Sequence, residues 1–143
     1  MSKRKVFLNV TLSLILLVTS YALLISRARR HAESLNCACG ICSICFGARQ
    51  WAEDNNGLLP ADFVCMSNEI NTTKILVCAA DRKRWPATNW AKLTLDNCSY
   101  DLLSPGLPAT NSDTAILRCT VHGHVGYLDG TVFDGVSRRN KYD

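Results

Sequence analysis

The sequence lacks charge over one long stretch, because no Asp, Glu, Lys or Arg occurs in residues 6–25. It also lacks a glycine-rich phosphate loop and a nucleophile elbow, so neither pattern indicates an enzyme. No dense run of Asp, Asn and Glu supplies the oxygen ligands that calcium prefers. Internal repeats are absent as well. These absences favour a structural protein without catalytic activity or a bound cofactor.

The net charge of +4 comes largely from basic residues on both sides of the uncharged stretch and from residues 138–141 near the C-terminus. Basic residues beside a bilayer are expected next to anionic lipid head groups and need no nucleic acid. Residues 82–84 are also basic, but no aromatic stacking platform accompanies them. We therefore expect the lipid bilayer, and no nucleic acid, as a partner.

The uncharged stretch is long enough to cross a membrane, which takes about 20 apolar residues. Its anchoring side chains include Val6, Leu12, Leu16 and Leu24. A cleaved signal peptide is the alternative, because Ser20-Tyr21-Ala22 places small residues where cleavage needs them. Continuation of the apolar run through residue 25 favours a retained single-pass anchor. Equal numbers of basic residues on the two sides leave the orientation undecided by charge.

The helical pattern continues beyond the membrane through residues 26–56. Apolar residues spaced by three and four predict one packing seam, on which Ala28, Leu35 and Phe46 lie. Ile41 and Cys45 place apolar atoms on a second face, so the helix should be covered on more than one side. Asn56-Gly57 predicts the helix end.

Downstream, short β-prone runs alternate with Pro, Gly, Asn and Asp. The predicted strands are residues 74–78, 98–103, 115–119 and 124–128. Asp129-Gly130 is typical of a two-residue type I′ hairpin leading into residues 131–133. The pattern predicts an α+β chain: a basic flank at 1–5, a transmembrane helix at 6–25, its continuation at 26–56, and a small domain at 57–143 with an antiparallel sheet.

Eight cysteines include the C-x-C-x2-C-x2-C run of Cys37, Cys39, Cys42 and Cys45, which resembles a metal-cluster motif. On a helix, Cys37 points away from the other three, so four thiolates cannot converge without breaking it. We interpret Cys39 and Cys42 as small buried residues on the seam. A membrane-tethered metal or redox module that uses the four cysteines is the alternative.

Cys78 and Cys119 each end a β-prone run, so a disulfide between them is reasonable. It would close a loop of about 40 residues and contribute about 3–4 kcal/mol. His122 and His124 are candidate metal ligands, which Asp129 or Cys119 would complete, with zinc as the metal that suits them. Structural hydrogen bonding is the alternative for both histidines.

Several short motifs occur one after another along residues 26–132. They are Ser26-Arg27-Ala28-Arg29, Asn36-Cys37, Trp51-Ala52-Glu53-Asp54-Asn55-Asn56-Gly57, Met66-Ser67-Asn68-Glu69, Lys74-Ile75-Leu76-Val77-Cys78 with Asp81, Ser99-Tyr100, and His122-Gly123-His124-Val125-Gly126 followed by Asp129-Gly130. In these motifs the chain resembles the prepilin-type, pseudopilin-like proteins abundant in Verrucomicrobia and their relatives.

The resemblance implies a pilin-like fold with a long N-terminal helix packed on a small sheet. It also implies a single-pass inner-membrane protein with a periplasmic C-terminal domain, acting as a structural subunit or accessory of a type II secretion or type IV pilus-like assembly. One departure concerns processing in that family, since no Gly occurs before Gly40 and no Glu before Glu33. We therefore expect no cleavage by a prepilin peptidase.

Overall fold

The chain folds into one long N-terminal helix followed by a small four-stranded antiparallel sheet, which confirms the predicted α+β class. The computed structural model describes residues 3–133, and it describes side chains from residue 7 onward. The side chain of Val6 and the basic residues 138–141 lie outside the described part. The chain divides after Glu33 into two compact units.

Helix α1 (Lys3–Asp54) carries the predicted membrane segment in the first unit. By length and composition it is a candidate membrane span near the N-terminus, a test that a signal sequence also passes. Leu12, Leu16 and Leu24 are 56%, 61% and 64% exposed, as lipid-facing residues would be. The hydroxyls of Thr11 and Ser20 donate to carbonyls three and four residues earlier. These bonds satisfy the hydroxyl groups, which would otherwise be unpaired polar groups in the apolar segment.

In the second unit, α1 buries the face that carries Cys37, Ile41, Ile44 and Ala48. The predicted seam lies on the other side. Leu35 and Phe46 are 55% and 57% exposed, so this chain does not itself cover the predicted seam, and packing along it stays a prediction. Both faces carry apolar residues at helical spacing, and periodicity alone does not say which one meets the domain. Ala28, in the first unit, is also exposed.

The end of α1 confirms the predicted helix stop. Asn56 and Gly57 have φ values of 57° and 73°, in the left-handed region. The Gly57 N–H donates to the carbonyl of Ala52 at 2.8 Å, which satisfies one of the carbonyls left open at a helix C-terminus. Helix α1 itself ends at Asp54, two residues before the boundary expected from the sequence.

The sheet consists of strands β1 (Tyr100–Leu102), β2 (Ala115–Cys119), β3 (Val125–Tyr127) and β4 (Val132–Phe133), each pairing with the next. The prediction of β2 is confirmed at both ends, and β1 and β3 lie inside their predicted ranges. The predicted strand at 74–78 is wrong, because Thr73–Leu76 forms a 3-10 helix. Thr72 caps it by accepting a hydrogen bond from the Lys74 N–H, a local interaction that competes with extended backbone.

The hairpin between β3 and β4 is present, but the predicted turn type is wrong. Its loop holds three residues, because Tyr127 and Thr131 close it through a backbone hydrogen bond of 3.0 Å. Gly130 has a φ of 85°, whereas Asp129 does not have positive φ, as a type I′ turn would require. The Asp129 carboxylate instead accepts hydrogen bonds from the backbone and hydroxyl of Thr131.

The core lies between the buried face of α1 and the sheet. Strand β3 approaches the helix so closely that a Cβ atom on Gly126 would come within 2.6 Å of the Cys45 sulfur and would also clash with Ile41. A bulge between Ala115 and Leu117 lets Ile116 and Leu117, consecutive in β2, both be buried. The close approach brings the end of β2 near α1.

Candidate metal centre

Three cysteines and one histidine meet beside the core, although they are far apart in the sequence. The Sγ atoms of Cys37, Cys78 and Cys119 and a ring nitrogen of His122 all lie within 4.8 Å of one another. The three cysteines are at most 1% exposed, and His122 is half-buried. Three thiol groups and an imidazole form a donor set that suits a tetrahedral metal ion.

Each ligand is positioned by a different part of the fold. Cys37 lies on the buried face of α1, one turn before Ile41. Cys78 follows the 3-10 helix, and the Ser99 N–H fixes that segment by donating to the Leu76 carbonyl at 2.8 Å. Cys119 is the last residue of β2.

His122 lies in the tight turn that connects β2 to β3. The Gly123 N–H donates to the Cys119 carbonyl at 2.9 Å, and the Cys119 N–H donates to the His124 carbonyl at 2.8 Å. Gly123 has a φ of 73°, a conformation in which a residue with a side chain would be strained. This turn directs the His122 Nδ1 toward the sulfurs, 3.2 Å from Cys78 Sγ and 4.0 Å from Cys119 Sγ.

The Cys119 sulfur receives several hydrogen bonds. The backbone N–H groups of Val121 and His122 both donate to it at 3.4 Å. Hydrogen bonds from the thiols of Cys37 and Cys78, together with these two N–H groups, hold the pKa of Cys119 well below its usual range. The hydrogen bond with Cys119 raises the pKa of Cys37 and that of Cys78. Cys119 is therefore the sulfur that most readily carries negative charge.

A second layer of side chains surrounds these ligands. The ring of His124 stacks on that of His122, with centroids 5.1 Å apart and planes 8° from parallel. The Ser34 hydroxyl lies 2.9 Å from His124 Nε2 and connects that ring to α1. The Tyr100 hydroxyl lies 3.9 Å from Cys37 Sγ, and burial raises the pKa of Tyr100, which keeps it a neutral phenol. These contacts orient the His122 ring and the Cys37 thiol.

The structure separates the other candidate ligands from this cluster. Asp129 is exposed and hydrogen-bonded to Thr131, and His124 is not among the four clustered ligands. The C-x-C-x2-C-x2-C run does not converge, because α1 is unbroken through it. Cys39 and Cys42 are exposed, so the chain itself does not bury them, and their burial on the seam stays a prediction. They lie on the helix surface opposite the one that packs on the sheet.

The sequence predicts parts of this site without joining them. It predicts a disulfide between Cys78 and Cys119, and it offers His122 with Cys119 as a metal site. It groups Cys37 with its neighbours in sequence instead. In the structure Cys37 shares the buried face of α1 with Cys45, whereas Cys39 and Cys42 lie on the exposed face. The available signal was the helical spacing that places Cys37 on one face with Ile41 and Cys45. Both Cys78 and Cys119 are free thiols in the structure, and a disulfide between them stays a prediction.

Comparison with known proteins identifies no relative. No family model matches the chain, and neither a curated protein nor a solved structure matches it. Its function is therefore inferred from its own residues and contacts.

Proposed function

We propose that this protein is a membrane-anchored, pseudopilin-like structural subunit of an envelope assembly of the type II secretion or type IV pilus kind. Residues 6–25 anchor it in the inner membrane, and the domain that follows lies on the periplasmic side. The role involves no catalysis. Its partners are the lipid bilayer and the neighbouring protein subunits of the assembly.

The observation that carries this proposal is the exposed apolar face of α1. Leu35, Cys39, Cys42 and Phe46 follow one another at spacings of four, three and four residues, and all four are exposed. The opposite face of the same helix segment is fully occupied by the domain core. An apolar helix face that the chain itself leaves uncovered suits lateral packing against another helix. Arg49 covers Phe46 only in part, with its guanidinium 5.1 Å from the ring centroid.

The long helix supports the same interpretation. A single helix, α1, includes both the candidate membrane span and the segment that packs on the sheet. A neighbouring subunit anchored in the same bilayer is confined to the membrane plane, which raises its effective concentration near this face. The proposed interface is the exposed face defined by Leu35, Cys39, Cys42 and Phe46.

Oxidative crosslinking tests the proposal, because two cysteines lie on the face itself. Membranes containing the full chain are treated with a mild oxidant, and we expect a disulfide-linked species that contains a second subunit. The double variant Cys39→Ser with Cys42→Ser should lose that species. Phe46→Ser should reduce its yield several-fold, whereas Leu95→Asn, at a side chain 84% exposed outside the face, should not.

Absence of a crosslinked species would contradict the proposal if Cys39 and Cys42 also react fully with a water-soluble maleimide in the membrane. That result would show a face open to water. Equal crosslinking in the Phe46→Ser and unmodified chains would indicate random collision rather than a specific contact.

A further inference from the structure

We propose that Cys37, Cys78, Cys119 and His122 bind one zinc ion, which serves as a structural centre of the domain. This inference is independent of the assembly role proposed above. It rests on the convergence of four metal-ligating side chains from α1, the segment after the 3-10 helix, and the end of β2 with its following turn.

The geometry fits a single ion. Ligand atoms of a tetrahedral zinc site, with bonds of about 2.0–2.3 Å, lie about 3.5–3.8 Å apart. Here all four ligand atoms lie within 4.8 Å of one another, and His122 Nδ1 is 3.2 Å from Cys78 Sγ. Shifts of about 1 Å or less, inward for the longer distances and outward for the shortest, bring the set to the tetrahedral distances. Atoms this close surround one ion more readily than a cluster that spreads its ligands over several irons.

The polar contacts of the cluster distinguish it from a core of packed thiols. Buried cysteines that act only as small apolar groups need no polar partners. Here two backbone N–H groups are directed at Cys119 Sγ, as they would be at a thiolate. An imidazole nitrogen also faces the sulfurs of Cys78 and Cys119. The turn that supplies these groups requires Gly123 in the left-handed region.

The ligand set favours zinc over the harder divalent metals. Three thiolates and one imidazole are soft and borderline donors, whereas magnesium and calcium require oxygen. Four protein ligands fill all positions of a tetrahedral ion and leave none for water or substrate. The centre is therefore structural rather than catalytic.

A metal at this point would connect the parts of a domain that has little regular sheet structure. Its strands are two to five residues long. The ion would tie α1 to both the segment at Cys78 and the end of β2, which are otherwise joined by packing and a few hydrogen bonds. His124, stacked on His122 and held by Ser34, would orient the ligand ring.

Zinc binding and the Cys78–Cys119 disulfide exclude each other, because both use the same two sulfurs. Oxidation breaks the two S–H bonds and forms one S–S bond. The two protons pass to solvent and the two electrons to an external oxidant such as a disulfide catalyst, and two of the four ligands are lost. Thiolates that coordinate zinc are not available to form the disulfide. The state of the two sulfurs in the native protein therefore decides between the two outcomes.

The test uses the full chain, purified from membranes in detergent without chelators or added thiol. We expect about one zinc per chain by elemental analysis. Cys37→Ser, Cys78→Ser, Cys119→Ser and His122→Gln should each lose most of it. Cys39→Ser and Cys42→Ser are matched controls from the same helix and should keep it. Removing zinc with a chelator should lower the Tm by about 10 °C or more.

Cobalt binding provides a second measurement that does not depend on folding of the variants. The metal-free, reduced wild-type chain titrated with Co²⁺ should show thiolate-to-cobalt charge transfer and the intense visible bands of a tetrahedral site, and zinc should abolish them. No binding of either metal, or a Cys78–Cys119 disulfide in non-reducing peptide maps, would overturn the proposal. Loss of bound zinc in the Cys39→Ser or Cys42→Ser variant would also overturn it. So would finding iron, and not zinc, bound to the purified wild-type chain.

Discussion

The Nδ1 atom of His122 lies 3.2 Å from the Sγ atom of Cys78, a residue 44 positions earlier in the chain. This contact links the turn after β2 to the segment after the 3-10 helix. Neither segment belongs to the strand pairing of the sheet at that point. Besides this contact, they are connected through Ser99, whose N–H donates to the Leu76 carbonyl and whose carbonyl accepts from the Thr120 N–H. A ligand held by both side chains would add a further link between these two segments.

Close packing of β3 on α1 predicts opposite effects for two glycines. Gly126→Ala should lower the free energy of unfolding by about 1–3 kcal/mol, because the new Cβ meets Ile41 and Cys45. Gly40→Ala is the control, since its Cβ would only reach ordinary contact distance from Tyr100 and Ile75. It should raise the free energy of unfolding by about 0.5–1 kcal/mol through helix propensity. Thermal unfolding followed by circular dichroism measures both, and equal effects would contradict the close approach.

Asp81 is a buried carboxylate whose side chain is 3% exposed. It accepts hydrogen bonds from the Arg84 guanidinium and the Ser99 hydroxyl, each at 2.8 Å, and from the Lys83 N–H at 2.9 Å. Burial alone would raise the pKa of Asp81, but these hydrogen bonds outweigh it and hold the pKa well below its usual range. The ionised form is therefore the one that stabilises the fold.

This shift predicts loss of stability in acid. A carboxylate with a depressed pKa contributes its full stability above its unfolded pKa, about 3.9, and loses that contribution as the pH falls toward the folded pKa. Asp81→Asn should lower the free energy of unfolding by about 1–3 kcal/mol at pH 7. It should also flatten the dependence of Tm on pH below about pH 4. Asp96→Asn, at an exposed position, is the control. An unchanged acid profile in Asp81→Asn would show that other groups cause the loss.

The cysteines should differ widely in reactivity. Cys39 and Cys42 are exposed and should react with a maleimide at pH 7.5 in the detergent-solubilised chain. Cys45 is buried, and burial raises its pKa to about 12, so its thiolate is scarce at that pH and should react only after unfolding. Mass spectrometry of labelled peptides reads out each site. Protection of Cys39 and Cys42 in native membranes but not in detergent would add support for a subunit covering the exposed face.

The membrane segment predicts how the chain fractionates. An apolar helix is not held by charges that salt can screen, so the full chain should stay in the membrane fraction after washing with high salt. Mass spectrometry of the retained chain checks that the N-terminal segment is present. A shortened, soluble chain that begins near Leu23 would instead establish cleavage by signal peptidase.

The local features of this protein follow from its amino-acid sequence alone. The uncharged stretch specified an apolar helix, since its length and composition need no partner to be recognised. Asn56 and Gly57 specified where that helix stops, because few residues tolerate positive φ. Strand β2 could be predicted because its β-prone residues are flanked by polar and turn-forming residues.

The surfaces and the distant residues that meet are known only from the folded chain. Both faces of α1 beyond the membrane segment are apolar, so the choice of the Ile41 face over the Leu35 face depended on the fit to the sheet at Gly126. Residues 74–78 are β-prone, yet local capping and burial of Leu76 favoured a 3-10 turn. The cluster of Cys37, Cys78 and Cys119 with His122 joins residues up to 85 positions apart. No local pattern encodes such a meeting, because it forms only when helix, loop and sheet pack together.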